Sequence, residues 1–353
     1  MIGGFDAVVW VLRDACALDP ARFIGLFDSF IRQNFHWHYI EAIVQGVATH
    51  LLYRFGNLSP SEQWNSAEPL PDGTEMAATL LKWLERYPSF WHDSQIMGQA
   101  LRSCCQLLHD RDSVDRLTML LFWVHSIVKE DQRNSTANLE RELSSRALNS
   151  IRGVAADSAI SLCNKLLEKE QDLPELLPLL LRHFARDPAI YVRVPILQQL
   201  PFLIYKRPNL GWQMLADVFQ EPQPLLWQYA ERCLYYQYRD QFNQVSPYLD
   251  RLWDEGMANA GEMWGRIFTL SSLAGHISQE ALFEKLLSAN AAAWQGAAQV
   301  FAANLDRREH TAVCNSGLIA ILLRESTSNE VIATVERLLS KKKTDRSFAA
   351  TLP

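Results

Sequence analysis

Residues 173–203, LPELLPLLLRHFARDPAIYVRVPILQQLPFL, decide the fold. Leu176, Leu177, Leu180, Leu181 and Phe184 recur at helical spacing and define one apolar face. Asp187 and Pro188 interrupt that pattern and open another, because aspartate caps helix starts and proline is tolerated in a first helical turn. Val192, Ile196, Leu200 and Leu203 then form a second face. Two short amphipathic helices joined by a tight turn cannot bury both faces alone, so neighbours of the same kind are required. As a cap, Asp187 is expected to contribute about 0.5–2 kcal/mol.

Working outward, the same signals recur along all 353 residues. Residues 5–16 read as a helix with Val8, Val9, Leu12 and Cys16 inward, and Asp19-Pro20 opens the next. Further helices are expected at 35–55, 74–86, 91–108 and 113–129, with Pro60, Pro69, Pro71 and Gly73 marking a long loop at 57–73. Beyond residue 138 the expected helices run 139–151, 154–167, 212–219, 224–238, 245–253, 261–274, 279–287, 291–305, 311–324 and 329–339. Residues 205–211, YKRPNLG, read as a connector. No alternating strand pattern occurs, so the expected class is all-α, an α-solenoid of antiparallel helical hairpins.

The expected organisation is an N-terminal set of helical repeats at 1–130, a polar hinge at 131–138, a repeat array at 139–340 and a polar tail at 341–353. Charge narrows the function classes. Lys plus Arg number 34 against 40 Asp plus Glu, for a net charge of −6, a poor balance for gripping a phosphate backbone. The six cysteines, Cys16, Cys104, Cys105, Cys163, Cys233 and Cys314, have neither disulfide-framework nor zinc-knuckle spacing, which points to a reducing cytoplasm. The longest strongly apolar run, 117–128, is too short to span a bilayer, and the first residues lack the basic start of a secretion signal.

The second helices of successive pairs superpose at Val192, Leu226, Met263 and Ala293, in steps of 34, 37 and 30 residues. That period belongs to helical-hairpin repeats. With Pro178 in the first helix, Asp187 in the turn and Val192-Arg193 early in the second, residues 176–200 resemble a HEAT repeat. Trp227, Trp264 and Trp294 stand in the later units where that family has arginine. The resemblance implies that Asp187 and Arg193 are a cap and an inter-helix tie. A longer stretch, 146–274, resembles the C-terminal helical region of bacterial STAND-type (NACHT-like) NTPases through Asn149, Arg152-Gly153, Ala155-Ala156, Asp187-Pro188 and Val192-Arg193. That likeness implies a recognition role in defence or signalling, with an NTPase or effector chain, or a foreign protein, as partner. No GxxxxGK[ST] phosphate loop is present in this sequence.

Each candidate site has a plain packing alternative. His36 and His38, with Glu41 or His50, hold donor atoms for a metal, and Cys105 with His109 is half such a site, but seam histidines and core cysteines explain both. Asp110, Asp112 and Asp115 read as helix-start acids. Lys206-Arg207 and Lys341 to Lys343 are small basic patches. A convergent hydrolase site would need two or more of His36, His38, His92, His109 and His125 in one pocket. Gly153 is expected either to let two helices approach or to end one.

The partner-binding expectation falls on Trp227, Tyr229, Tyr235, Tyr236, Tyr238, Trp264 and Trp294, since Trp and Tyr offer large contact areas with a polar handle. No catalytic residue, metal or cofactor is expected. The sequence is thus read as a non-enzymatic protein-binding module. The alternative is a HEAT-like nucleic-acid-binding protein of the glycosylase kind, which the net charge of −6 disfavours.

Overall fold

The computed structural model describes residues 4–56, 72–91, 94–127 and 139–323, with isolated positions between 329 and 340. Among these residues the chain is all-α. In order the helices are α1 (Phe5–Leu18), α2 (Pro20–Arg32), α3 (Trp37–Arg54), α4 (Gly73–Arg86), α5 (Pro88–Trp91) and α6 (Gln95–Leu107). There follow α7 (Arg111–Ile127), α8 (Leu139–Asn149), α9 (Ile151–Glu168), α10 (Leu176–Ala185), α11 (Ile190–Lys206) and α12 (Pro208–Val218). After a 3-10 turn at Pro224–Tyr229 come α13 (Glu231–Tyr235), α14 (Phe242–Glu255), α15 (Met257–Leu273), α16 (Gln279–Ser288), α17 (Ala291–Asn304) and α18 (Thr311–Leu322). None of the described helices is long and apolar enough to cross a membrane.

Spatial neighbours divide the chain into two units, Met1–Val218 and Phe219–Pro353. The expected hinge at 131–138, most of the loop at 57–73, His92, most of the helix expected at 329–339 and the tail at 341–353 lie outside the described residues. The first unit extends across the expected hinge: α6 and α7, before it, both pack on α9, after it.

Within the first unit one row of helices packs in series, α1 on α3, α3 on α6, α6 on α9 and α9 on α11. A second row follows α4, α7, α10 and α12. The core between them is aliphatic, with Leu80, Leu81, Leu117, Leu121, Leu180 and Leu181 fully buried, and Phe27 stacked on Trp83 at 3.9 Å. In the second unit α15 packs most extensively on α17, and α14, α16 and the 3-10 turn flank α15.

Local chemistry moves several boundaries. The break expected at Arg152-Gly153 falls at Ser150, whose hydroxyl accepts the Gly153 N–H at 3.0 Å and caps α9. Gly153 sits in the first turn, where a Cβ would collide with the carbonyl of Ala147 at the end of α8. Close approach is therefore its role. Asp72 caps α4 through Thr74 N–H at 2.8 Å, so the helix expected at 74–86 begins at Gly73. The connector expected at 205–211 is mostly helix: α11 runs to Lys206, and Pro208, which has no N–H to satisfy, starts α12. The helix expected at 224–238 is broken into the 3-10 turn and the short α13, the Ala230 N–H reaching back only three residues to Trp227. α11 carries two internal prolines, Pro195 and Pro201, which the sequence reading passed over.

Candidate functional site

Of the seven aromatics expected to meet a partner, the three tryptophans belong to the core. Trp227 is fully buried, stacked on Phe219 at 4.1 Å, and its indole N–H donates to Glu255 Oε1 at 3.1 Å. Trp264 is buried against Phe268 at 4.4 Å and donates to the Leu249 carbonyl at 3.2 Å. Trp294 donates to the Leu286 carbonyl at 2.6 Å. Each indole fills the seam of a helical pair and spends its one donor internally. These three are corrected from partner residues to structural ones.

The tyrosines are placed differently. Tyr235 is 43% and Tyr236 60% exposed, while Tyr229 and Tyr238 are half-buried. Tyr235 packs edge-on to Tyr236 at 5.5 Å and lies 6.1 Å from Tyr238. Helical spacing explains the division. Cys233 and Leu234, fully buried, turn toward α15, so the two residues that follow must point outward. Glu231, next to them, is held by Arg266 at 2.8 Å. Tyr235 ends the short helix α13 and Tyr236 and Tyr238 lie in the turn that follows, so that the three rings form a ledge with a large apolar area.

Below α15 the packing is close. A Cβ at Gly265 would strike the Ala293 carbonyl of α17, and one at Gly296 would strike the Glu262 carbonyl of α15. The two helices approach through a reciprocal pair of glycines. The sequence carries a signal of that pair, since each glycine closely follows the tryptophan of its helix. Arg266 completes the crossing, reaching Glu262 at 2.5 Å and Gln299 at 3.0 Å.

The structural residues of the first unit form a larger buried network than expected. Asp187 has a fully buried side chain. Its Oδ1 accepts the Ala189 N–H at 2.9 Å, and Ala189, not Asp187, is the formal cap of α11. Its Oδ2 accepts from Arg152 Nη2 of α9, and His125 Nε2 of α7 lies 3.3 Å away. Arg193 donates from Nε to the Asp187 carbonyl at 2.6 Å and from Nη1 to the Val218 carbonyl at 3.0 Å, the tie that the resemblance implied. Pro178 occupies the third position of α10, where its missing N–H removes no intrahelical bond.

One layer away, Asp157 of α9 meets Arg102 of α6 at 3.1 Å and accepts from Gln199 Nε2 of α11 at 2.6 Å. Burial raises the Asp157 carboxyl above the usual range, and Arg102 and Gln199 only partly offset it. On α12, Asp217 accepts from Arg182 at 2.8 Å and Arg186 at 2.6 Å. These acids escaped the sequence reading because their partners stand 31 or more residues away.

The metal and catalytic candidates resolve into packing roles. His36 caps α3, its Nδ1 accepting the His38 N–H at 3.4 Å. Glu41, buried and with its carboxyl raised by desolvation, accepts from the Ser94 hydroxyl and lies 3.7 Å from His38. His50 is buried, with Nδ1 on the Ala17 carbonyl at 2.8 Å.

His109 Nδ1 lies 2.8 Å from Lys169 Nζ; an ammonium can only donate, so the ring is neutral, and burial followed by Lys169 lowers its pKa. It lines a cleft of about 370 Å³ with Asp110, Arg111, Glu170 and Asp172. Lys206 and Arg207 line a shallower one of about 710 Å³.

Asp110 accepts the Ser113 N–H at 3.0 Å, while Asp112 pairs with Arg116 one turn on and Asp115 with Arg111 one turn back. All six cysteines are free and buried, and burial pushes the Cys16 and Cys163 thiols up to about 12. Among the described residues no three His, Cys, Asp or Glu side chains are grouped to hold a metal ion. Comparison of this chain with protein-family models, with characterised proteins and with solved structures gives no match.

Proposed function

We propose that this chain is a helical-repeat protein-binding module that acts by recognition and carries out no chemistry of its own. The observation that carries the reading is the exposed tyrosine ledge, Tyr235 and Tyr236 with Tyr238 behind them. Tyrosines of this kind give contact area at low conformational cost and supply a hydroxyl for specificity, which is why they concentrate at binding hot spots. The anchored base of the ledge adds preorganisation, because Cys233 and Leu234 are locked in the core. The serial packing of α3, α6, α9 and α11 supports the helical-repeat part of the proposal. The likeness of residues 146–274 to STAND-type sensor regions favours a foreign protein, or an NTPase or effector chain, as the partner.

The test is a paired retention experiment with wild type and the Tyr235→Ala/Tyr236→Ala variant. A saturable partner bound by wild type should be weakened about 30-fold or more by the double change, the effect of losing a hot spot of about 2 kcal/mol. A partner that binds both equally would remove the ledge from the site. Nucleic acid bound with a steep salt dependence would replace the reading altogether.

A further inference from the structure

The charged residues beside the tyrosine ledge decide what the ledge can hold. Residues 228–241, QYAERCLYYQYRDQ, carry Glu231, Arg232, Arg239 and Asp240. Glu231 is spent inside the protein, held by Arg266 at 2.8 Å. Arg232 and Arg239 are exposed, and among the described residues neither guanidinium has a hydrogen-bond, ion-pair or ring partner. Arg251 and Arg266 of the same unit differ. The first reaches Glu255 at 2.9 Å and the Phe219 carbonyl, the second Glu231, Glu262 and Gln299.

Helical spacing puts both free arginines on the tyrosine face. Cys233, Leu234 and Gln237 are buried, whereas Arg232, Tyr235, Tyr236 and Arg239 are exposed, at steps of three, one and three residues. The alternation continues past the end of α13, because the Gln237 N–H still reaches the Leu234 carbonyl and the Gln241 N–H the Gln237 carbonyl. The far end is fixed from α15: His276, just beyond that helix, donates from Nε2 to the Arg239 carbonyl at 2.8 Å and stacks on Phe242 at 4.8 Å. Arg232 and Arg239 therefore bracket the rings, about 10 Å apart along the chain. Asp240 stands beside Arg239, and with Glu231 occupied the face keeps an excess of positive charge.

We infer that the ledge takes an acidic segment of a partner protein, with carboxylates on Arg232 and Arg239 and an aliphatic side chain against the rings between them. The inference rests on the protein-binding reading and names the chemistry of the bound segment. A guanidinium fork matches a carboxylate bidentately. Tyrosine rings offer apolar faces to aliphatic carbon while their hydroxyls pair with peptide groups. Carboxylates about three residues apart on an extended peptide span about 10 Å. Nucleic acid fits this face less well. Bases stack on exposed rings along a basic groove that tracks the backbone. Here Tyr235 and Tyr236 meet at 76°, and the face holds two arginines beside an aspartate.

Fluorescence anisotropy with two labelled peptides tests the inference. One has glutamates about three residues apart flanking leucines, and the other has lysines in place of the glutamates. Wild type should bind the glutamate peptide, more weakly as salt rises, and not the lysine peptide. Arg232→Glu/Arg239→Glu should weaken the glutamate peptide at least about tenfold and gain the lysine peptide. Its melting temperature should be unchanged, since both positions are exposed. The inference is overturned by a wild type that binds neither peptide or both equally, and by a charge reversal that leaves the glutamate peptide bound as before. An oligo-dT strand bound more tightly than the glutamate peptide also overturns it. Loss of the retained partner in Tyr235→Ala/Tyr236→Ala decides the ledge separately, so either reading can fail without the other.

Discussion

The crossing of α9 with α11 and the crossing of α15 with α17 are the same structural element, consecutive second helices of neighbouring pairs, held by opposite means. In the first unit the contact is polar. Gln199 joins α11 to Asp157 of α9, and Arg152 of α9 reaches the buried Asp187 at the start of α11. In the second unit the contact is made by removing side chains, Gly265 against the Ala293 backbone and Gly296 against that of Glu262. A buried ion pair fixes register but fails badly when one partner is lost. A glycine crossing tolerates polar change nearby but fails when volume is added. The two units should therefore respond to different substitutions.

The largest effect is expected at the polar crossing. Asp187→Ala should cost about 3–5 kcal/mol in chemical denaturation, because it leaves Arg152 buried without its carboxylate as well as freeing the Ala189 N–H. This exceeds the loss expected of a cap alone. Combining it with Arg152→Met should recover much of the deficit. A cost confined to the capping range would mean that the Arg152 pair contributes little.

At the glycine crossing, Gly265→Ala should destabilise the second unit by about 1–3 kcal/mol, because the added methyl meets backbone that cannot rotate away. The same change at Gly275, whose φ is +85°, meets no atom and should act only through backbone strain. Circular dichroism melts of the two variants separate packing from strain.

A smaller and pH-dependent effect belongs to Asp157. Its folded-state carboxyl is raised, so its contribution to stability is fully present below the unfolded value of 3.8 and is lost as pH rises through the folded value. Asp157→Asn keeps an acceptor for Gln199 and should flatten the pH dependence over that window, with a melting temperature at neutral pH no lower than wild type. A melting temperature that falls at neutral pH would show that the Arg102 pair outweighs desolvation.

The smallest effect on stability is expected at the tyrosine ledge. Tyr235→Ala/Tyr236→Ala should stay within about 0.5 kcal/mol of wild type, as exposed positions do, while carrying the largest effect on partner binding. A large loss of stability would place the ledge in the core with the tryptophans.

The all-α class and the helical pair at Leu176–Ala185 and Ile190–Lys206 follow from the sequence by itself, while the tie made by Arg193 was implied only by the resemblance to a HEAT repeat. Periodicity, capping residues and prolines are local signals, read within a few turns of chain. The sequence also showed the aromatic group Trp227, Tyr229, Tyr235, Tyr236 and Tyr238, but not which of them reach water. Trp227 and Tyr236 look alike as partner residues. Tertiary packing decided that the first stacks on Phe219 and the second stands in solvent, since an indole can satisfy its single donor inside a seam. Likewise only the fold could join Asp187 to Arg152 and His125, or set Gly265 against Ala293, and turn Val8, expected to face inward, to solvent. Burial is a property of neighbours, and these neighbours stand tens of residues away in the chain.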